Sequence, residues 1–228
     1  MEPEVRLVQV AYEKILSNIL TFTLKPGDVV SDYQISRELG MSRTPVREAI
    51  QRLMYESLVV QGQSKAVVAD ISAADILEIT ELRTALEQQA IEIITTRSPL
   101  SKASVQRMRE LNEELKKAIA DRDFEKNFEI EDRFHFMIVE GAGNRRLLEA
   151  YTRHHLLIVR ARWLSLFYPE YTPTIKEHED IIDSLEKRDL DAAVKALKTH
   201  MGSSVKHFSR VFTDPAVREA ARFVASIK

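Results

Sequence analysis

The chain has 228 residues, a formal net charge of -2 and 30% charged side chains, which describes an ordinary globular surface with room for a small domain and one further domain of usual size. It contains no cysteine, so a disulfide framework and a thiolate metal site are both excluded. Its charged N-terminus and the lack of any apolar run near the roughly 18 residues a membrane span requires lead us to expect an unexported, cytoplasmic protein with no membrane partner.

In chain order, the first punctuated element opens at Ser31, where Gln34 three residues later completes a helix-start box, and it ends at Gly40. A second short helix follows over Ser42 to Leu53, with Ser42 read as its cap. It has two opposed faces: Val46, Ala49, Ile50 and Leu53 form an apolar stripe, while Arg43, Arg47 and Gln51, each four residues apart, line the other side. This is helix-turn-helix spacing. After Glu56, the runs Leu58 to Gln61 and Ala66 to Ala69 read as strands joined by Gly62-Gln63-Ser64-Lys65, a hairpin that would act as a wing and bring Lys65 near phosphates. Arginine grips guanine or phosphate and glutamine reads adenine, so the polar stripe suits a DNA major groove. Residues 1–70 carry eight cationic and nine acidic side chains, so binding of DNA has to rest on that local stripe rather than on bulk charge.

Ser72 with Asp75 makes another start box, and everything beyond it is helical in pattern. Ile76, Ile79, Leu82, Leu86, Ala90 and Ile93 mark one helix, and Val105, Met108, Leu111, Leu115 and Ile119 a second. Further helices are expected at about 123–140, 145–167, 174–187 and 190–210, with a last short one starting at Asp214-Pro215. The economical fold is an all-α antiparallel bundle. Two domains result, 1–70 and 71–228.

Within the bundle a few polar side chains interrupt apolar faces. Glu131 and His135 lie one turn apart among Phe128, Phe134 and Ile138; His178 is in register with Ile181, Ile182 and Leu185, and His200 with Ala193, Ala196 and Leu197. Three helices thus aim an imidazole inward. Buried imidazoles and carboxylates are costly unless paired, most simply through a shared divalent cation, and zinc, nickel, manganese and iron(II) all suit this donor set. The alternative is that each histidine is a core residue hydrogen-bonded locally. His154, His155 and His207 are read as surface or secondary residues.

Residues from about 8 to 70 resemble the winged helix of the GntR family of bacterial transcription regulators, through Leu24, Pro26-Gly27, the run Ser42-Arg43-Thr44-Pro45-Val46-Arg47-Glu48-Ala49, and Arg52-Leu53. The resemblance implies that Arg43 and Arg47 contact DNA, with Thr44 at the phosphate backbone. The family's usual arginine-glycine pair at the wing tip is replaced by Ser64-Lys65-Ala66. Residues 73–210 resemble the FadR C-terminal (FCD) domain, through Leu82-Arg83, Leu86-Glu87, Phe134-His135 followed by Gly143-Asn144, Glu177-His178, and His200. In its metal-binding members an acid four residues before the first of three histidines completes the site, which implies Glu131, His135, His178 and His200. Glu131 stands where aspartate is usual, and Asp132 is a second candidate for the acid. Arg83 resembles the arginine that meets the effector, with a surface pair to Glu87 as the alternative; Arg160, Arg162 and Trp163 are candidates for the same cavity. A metal beside a guanidinium makes a trap for a small organic or sugar acid.

The expectation is a homodimeric, sequence-specific DNA-binding transcription regulator, a repressor, acting on a palindromic double-stranded operator and answering to a divalent metal and a carboxylate effector. No catalytic residue is assigned. Two alternatives stay open: a metal-responsive regulator with no organic effector, and a metal-dependent hydrolase or lyase fused to a DNA-targeting module.

Overall fold

Val8, Ala11, Tyr12, Ile15 and Ile19 recur at helical spacing, and in the computed structural model they carry the first helix, α1 (Pro3–Leu20), onto the core of the N-terminal unit. The structure describes residues 3–21, 23–70, 72–165 and 173–213, with the side chains of 3–5, 124, 125, 160–165 and 207–213 outside that description. The helix anticipated at Asp214 lies outside the described residues.

Helices α2 (Asp32–Leu39) and α3 (Arg43–Tyr55) follow. The Ser31 hydroxyl accepts the Gln34 N–H at 3.3 Å, and Gly40 ends α2 in the left-handed region, at φ 63°, where a side chain is disfavoured. Ser42 has extended backbone at the N-cap of α3 but makes no side-chain cap bond. This corrects the sequence expectation, and the reason is chemical: the third helical residue is Pro45, which has no N–H for the Ser42 hydroxyl to accept. Strands β1 (Val59–Gln61) and β2 (Ala66–Val68) pair antiparallel with Val59 opposite Val68. Val29 adds an isolated bridge to Val67, and Gly27, at φ 84°, donates its N–H to the Val68 carbonyl, so the wing is tied back to the segment before α2. Ile15, Ile19, Val46, Ala49, Leu53, Leu58 and Val68 close the core between α1, α3 and the sheet.

The helical half comprises α4 (Ala73–Thr96), α5 (Lys102–Asp121), α6 (Phe124–Gly141), α7 (Arg145–Ser165), α8 (Thr174–Lys187) and α9 (Leu190–Thr213). Ser72 and Asp75 form the reciprocal capping box that opens α4. Helix α4 packs on α9, α9 on α8 and α5 on α6, around a core that includes Ile91, Ile94, Met108, Phe134, Ile138, Ile181 and Leu197. Leu82, expected on the apolar face of α4, is 38% exposed, whereas Arg83 is only 4% exposed. Along α4 the inward line runs Ile76, Ile79, Arg83, Glu87 and Ala90, and Leu82 is turned about 100° from Arg83 and off it. The two halves meet through α7, where Leu156 and Leu157 pack against the N-terminal core and the Arg153 guanidinium stacks 4.1 Å from the Tyr55 ring centre. Among the described residues no helix is long and apolar enough to cross a membrane.

Candidate nucleic-acid face and metal centre

The apolar stripe of α3 is buried, which leaves Arg43, Thr44, Arg47 and Gln51 exposed on the opposite side. Lys65 is exposed at the turn between the strands, and a groove of about 600 Å³ between α3 and this turn is lined by Asp32, Arg43, Arg47, Gln51, Ser64 and Lys65. The structure therefore brings four of the five sequence-derived DNA candidates to one groove, with Thr44 exposed at the start of α3. Asp32, in the first turn of α2, was not anticipated. Its carboxylate accepts three bonds from Arg43, from Nη2 at 2.8 Å to Oδ1 and 2.9 Å to Oδ2 and from Nε at 3.1 Å to Oδ2, and one from Arg47 Nε at 2.6 Å. These bonds, Arg43's first, hold the Asp32 carboxyl below its ordinary range.

In the bundle, α6, α8 and α9 bring Glu131, His135, His178 and His200 together so that one ligand atom from each lies within 4.8 Å of the others. The three imidazoles are buried and the Glu131 side chain is 12% exposed. Glu131 stands 3.8 Å from His135 Nε2 and 3.7 Å from His178 Nε2. Asp132 is turned away, its carboxylate 3.0 Å from His155 Nε2, so the structure gathers Glu131 rather than Asp132 with the imidazoles. His155, read from sequence as a surface or secondary residue, is largely buried because that pair faces inward beside Phe136 and Tyr151.

The outer partners of the rings were missed in the sequence. Glu87 on α4 is fully buried; its Oε2 meets His135 Nδ1 at 2.6 Å, and its Oε1 accepts from Arg83 Nε at 2.7 Å and from the Tyr151 hydroxyl at 3.1 Å. Burial pushes the Glu87 carboxyl up, and Arg83 is the main group opposing that shift. Burial also works against the Arg83 charge, but Tyr151 and Glu87 outweigh it and keep the guanidinium charged. Arg83 is thus paired with Glu87, as one reading of the sequence had it, but in the interior and not on the surface. Glu177 on α8 accepts from His200 Nδ1 at 3.0 Å and from the Ser203 hydroxyl at 2.6 Å. Burial alone would raise the Glu177 carboxyl; the His200 and Ser203 bonds win and hold it below its ordinary range.

These carboxylates set the chemistry of the rings. With each Nδ1 proton donated to an acid, the tautomer assigned from the partners is Nδ1–H on His135 and His200, which leaves both Nε2 lone pairs inward. Those two nitrogens are 3.1 Å apart. Two lone pairs held at that distance in a buried site repel unless a positive centre lies between or beside them, and two or more imidazoles with one carboxylate are the donor set of a divalent ion. The residues present fit such an ion. Arg160 and Arg162 lie in the last turns of α7, with their side chains, and that of Trp163, outside the described residues.

The profile of bacterial regulatory proteins of the gntR family matches residues 7–68, and that of the FCD domain matches residues 78–203. The chain is 25% identical over 206 residues to the HTH-type transcriptional regulator YdhC of Bacillus subtilis (strain 168), covering 89% of this chain and 91% of that protein. It is 26% identical over 202 residues to the gluconate operon transcriptional repressor of Bacillus licheniformis, covering 83% and 79%. The solved structure of E. coli McbR/YncC shares the fold, with a TM-score of 0.69 at 21% identity over 90% of this chain and 98% of that one. The matched families and relatives are transcription regulators, which removes the hydrolase or lyase alternative: the protein is a regulator and not an enzyme. With one profile on the helix-turn-helix half and the other on more than half of the chain, the protein belongs to the GntR family of DNA-binding bacterial transcription regulators, in the branch whose second half is an FCD domain.

Proposed function

We propose that this regulator is a homodimeric repressor in which residues 1–70 read a double-stranded operator and residues 71–228 bind a divalent cation and a small carboxylate effector. The groove-lining Arg43, Arg47, Gln51 and Lys65, with Thr44 at the backbone, are the proposed DNA contacts, and Glu131, His135, His178 and His200 the proposed metal ligands. The observation that carries the metal is the His135–His200 contact, two ring nitrogens 3.1 Å apart with an acid behind each ring. A divalent ion there supplies Lewis-acidic positions for a carboxylate oxygen.

The reading with an organic acid is favoured over metal sensing alone by Arg83. Its Nε is bonded to Glu87, yet its Nη2 is buried without a hydrogen-bond partner among the described residues, which leaves a charged donor for an anion one carboxylate away from the imidazoles. A relative named for a gluconate operon supports a sugar acid as one ligand to try. Arg160 and Arg162 remain proposed effector residues from their sequence positions. Helix α7 gives the signal a physical route: Tyr151 bonds Glu87 and His155 pairs with Asp132 on its inner side, while Arg153, Leu156 and Leu157 touch the winged helix. An acid that prefers one setting of α7 shifts the spacing of the two DNA-reading heads in a dimer.

The test is operator affinity by fluorescence anisotropy, on a duplex selected from a random library, with and without gluconate and related acids. The expected result is at least a fivefold weakening by one acid, abolished in Arg83→Ala. Unchanged affinity with every acid, in protein that carries one divalent ion per chain, rejects the organic effector and leaves metal sensing.

A further inference from the structure

The two arginines of α3 are not equivalent in the structure, although they look alike in the sequence. Arg43 gives Asp32 the edge of its guanidinium that carries Nε and Nη2, through contacts of 3.1, 2.8 and 2.9 Å, so that edge and Nη2 are already engaged. Arg47 gives Asp32 only Nε, at 2.6 Å. Neither Nη group of Arg47 has a hydrogen-bond partner among the described residues, and its side chain is 63% exposed against 20% for Asp32. A guanidinium anchored by Nε offers its Nη1–Nη2 edge in a fixed direction, and a fork of this kind is what guanine O6 and N7 accept.

We infer that Asp32 is a positioning residue that orients the free fork of Arg47 toward a guanine in the operator, with Arg43 as the second post of the same clamp. This rests on the reading of α3 as the recognition helix. The carboxylate costs affinity in one respect, since it sets a negative charge beside a polyanion and cancels part of two cations that would otherwise neutralise phosphate. Its gain is ordering: an arginine side chain gives up extensive rotamer freedom when it docks, and a clamp meets that loss before DNA arrives. The two effects act on different quantities. Charge cancellation lowers affinity for every duplex alike, whereas a fixed fork raises affinity only where a guanine stands at the right position. Asp32 therefore trades general affinity for discrimination.

The experiment compares a duplex selected from a random library by the wild-type, metal-replete protein with an unrelated duplex of equal length, by fluorescence anisotropy at fixed salt. Asp32→Asn, isosteric but uncharged, is expected to bind the selected duplex about tenfold more weakly. Its affinity for the unrelated duplex is expected to be unchanged or up to about threefold tighter, so that the ratio of the two falls. Asp32→Glu keeps the charge and is expected to recover part of the ratio, which loss of fold or of α2 would not allow. In an Arg47→Ala background, Asp32→Asn is expected to change the ratio by less than twofold. Equal tightening on both duplexes overturns the inference and leaves Asp32 as a repulsive charge; an unchanged ratio overturns it as well. If Arg47→Ala costs the selected duplex tenfold while Asp32→Asn costs nothing, the inference fails and the recognition helix stands. Unchanged binding by Arg47→Ala overturns both.

Discussion

Replacing Glu87 with alanine tests how the interior of the bundle is held. The carboxylate lies 2.7 Å from Arg83 with both side chains at most 3% exposed, and it also accepts from His135 and Tyr151. Removing one member of such a pair leaves the other charge in the interior, at about 3–5 kcal/mol. Glu87→Ala is therefore expected to destabilise the chelated, full-length protein by about that much, or roughly 6–20 °C in Tm. Urea unfolding followed by the fluorescence of Trp163, the sole tryptophan and part of α7, reads the helical half selectively. A second variant separates charge from packing. Arg83→Met with Glu87→Leu removes both charges, and although it leaves the Tyr151 hydroxyl and His135 Nδ1 without their acceptor, it is expected to be at least about 2 kcal/mol more stable than Glu87→Ala alone. A single-variant penalty below about 1 kcal/mol, or a double variant no more stable than the single, refutes this account of the core.

Asp32→Asn is expected to cost under about 1 kcal/mol of folding stability at pH 7, because its arginine partners are half or more exposed. Arg43 and then Arg47 hold its folded pKa below the unfolded value, so the contribution is present above about pH 4 and is lost as the pH falls through the folded value. Urea midpoints of variant and wild type should therefore converge on acidification, and a gap that widens toward pH 3 contradicts the assignment. Gly40→Ala forces a side chain into the left-handed region that ends α2 and should lower stability by about 1–2 kcal/mol, seen as a shift in the urea midpoint without a change in slope; an unchanged midpoint counts against the cap. Arg153→Ala removes the contact with Tyr55, worth about 0.5–1 kcal/mol, and should weaken the effect of a bound acid on operator affinity roughly twofold to fivefold while metal content stays the same. An undiminished effect moves the coupling away from this contact.

What could be read in the sequence was whatever depends on spacing within one element. The alternation of apolar and polar residues along α3, the capping box at Ser72, the Ser31 cap, of which only the bond from the Gln34 N–H forms, and the three histidines in register with core residues are local patterns, and these appear in the structure. The residues of α1 had the same kind of signal, at Val8, Ala11, Tyr12, Ile15 and Ile19, but no cap or turn to punctuate it. Other features depend on how elements cross. Glu87 meets His135 and Tyr151 only because α4 lies against α6 and α7, 48 and 64 residues away in the chain. Asp32 reaches its arginines across the turn between α2 and α3, over 11 and 15 residues. The choice between Glu131 and Asp132 was open because both lie within reach of a face shared by residues three and four apart; the packing of α8 and α9 against one side of α6 decides which is near the imidazoles.

The most direct test of the central claim is calorimetric titration of zinc into the chelated full-length protein at pH 7, beside a His135→Ala, His178→Ala, His200→Ala variant. One ion per chain with a Kd below about 1 µM is expected for the wild type and none for the variant, with its far-ultraviolet circular dichroism retained. No saturable binding by the wild type, or equal binding by the variant, contradicts the account.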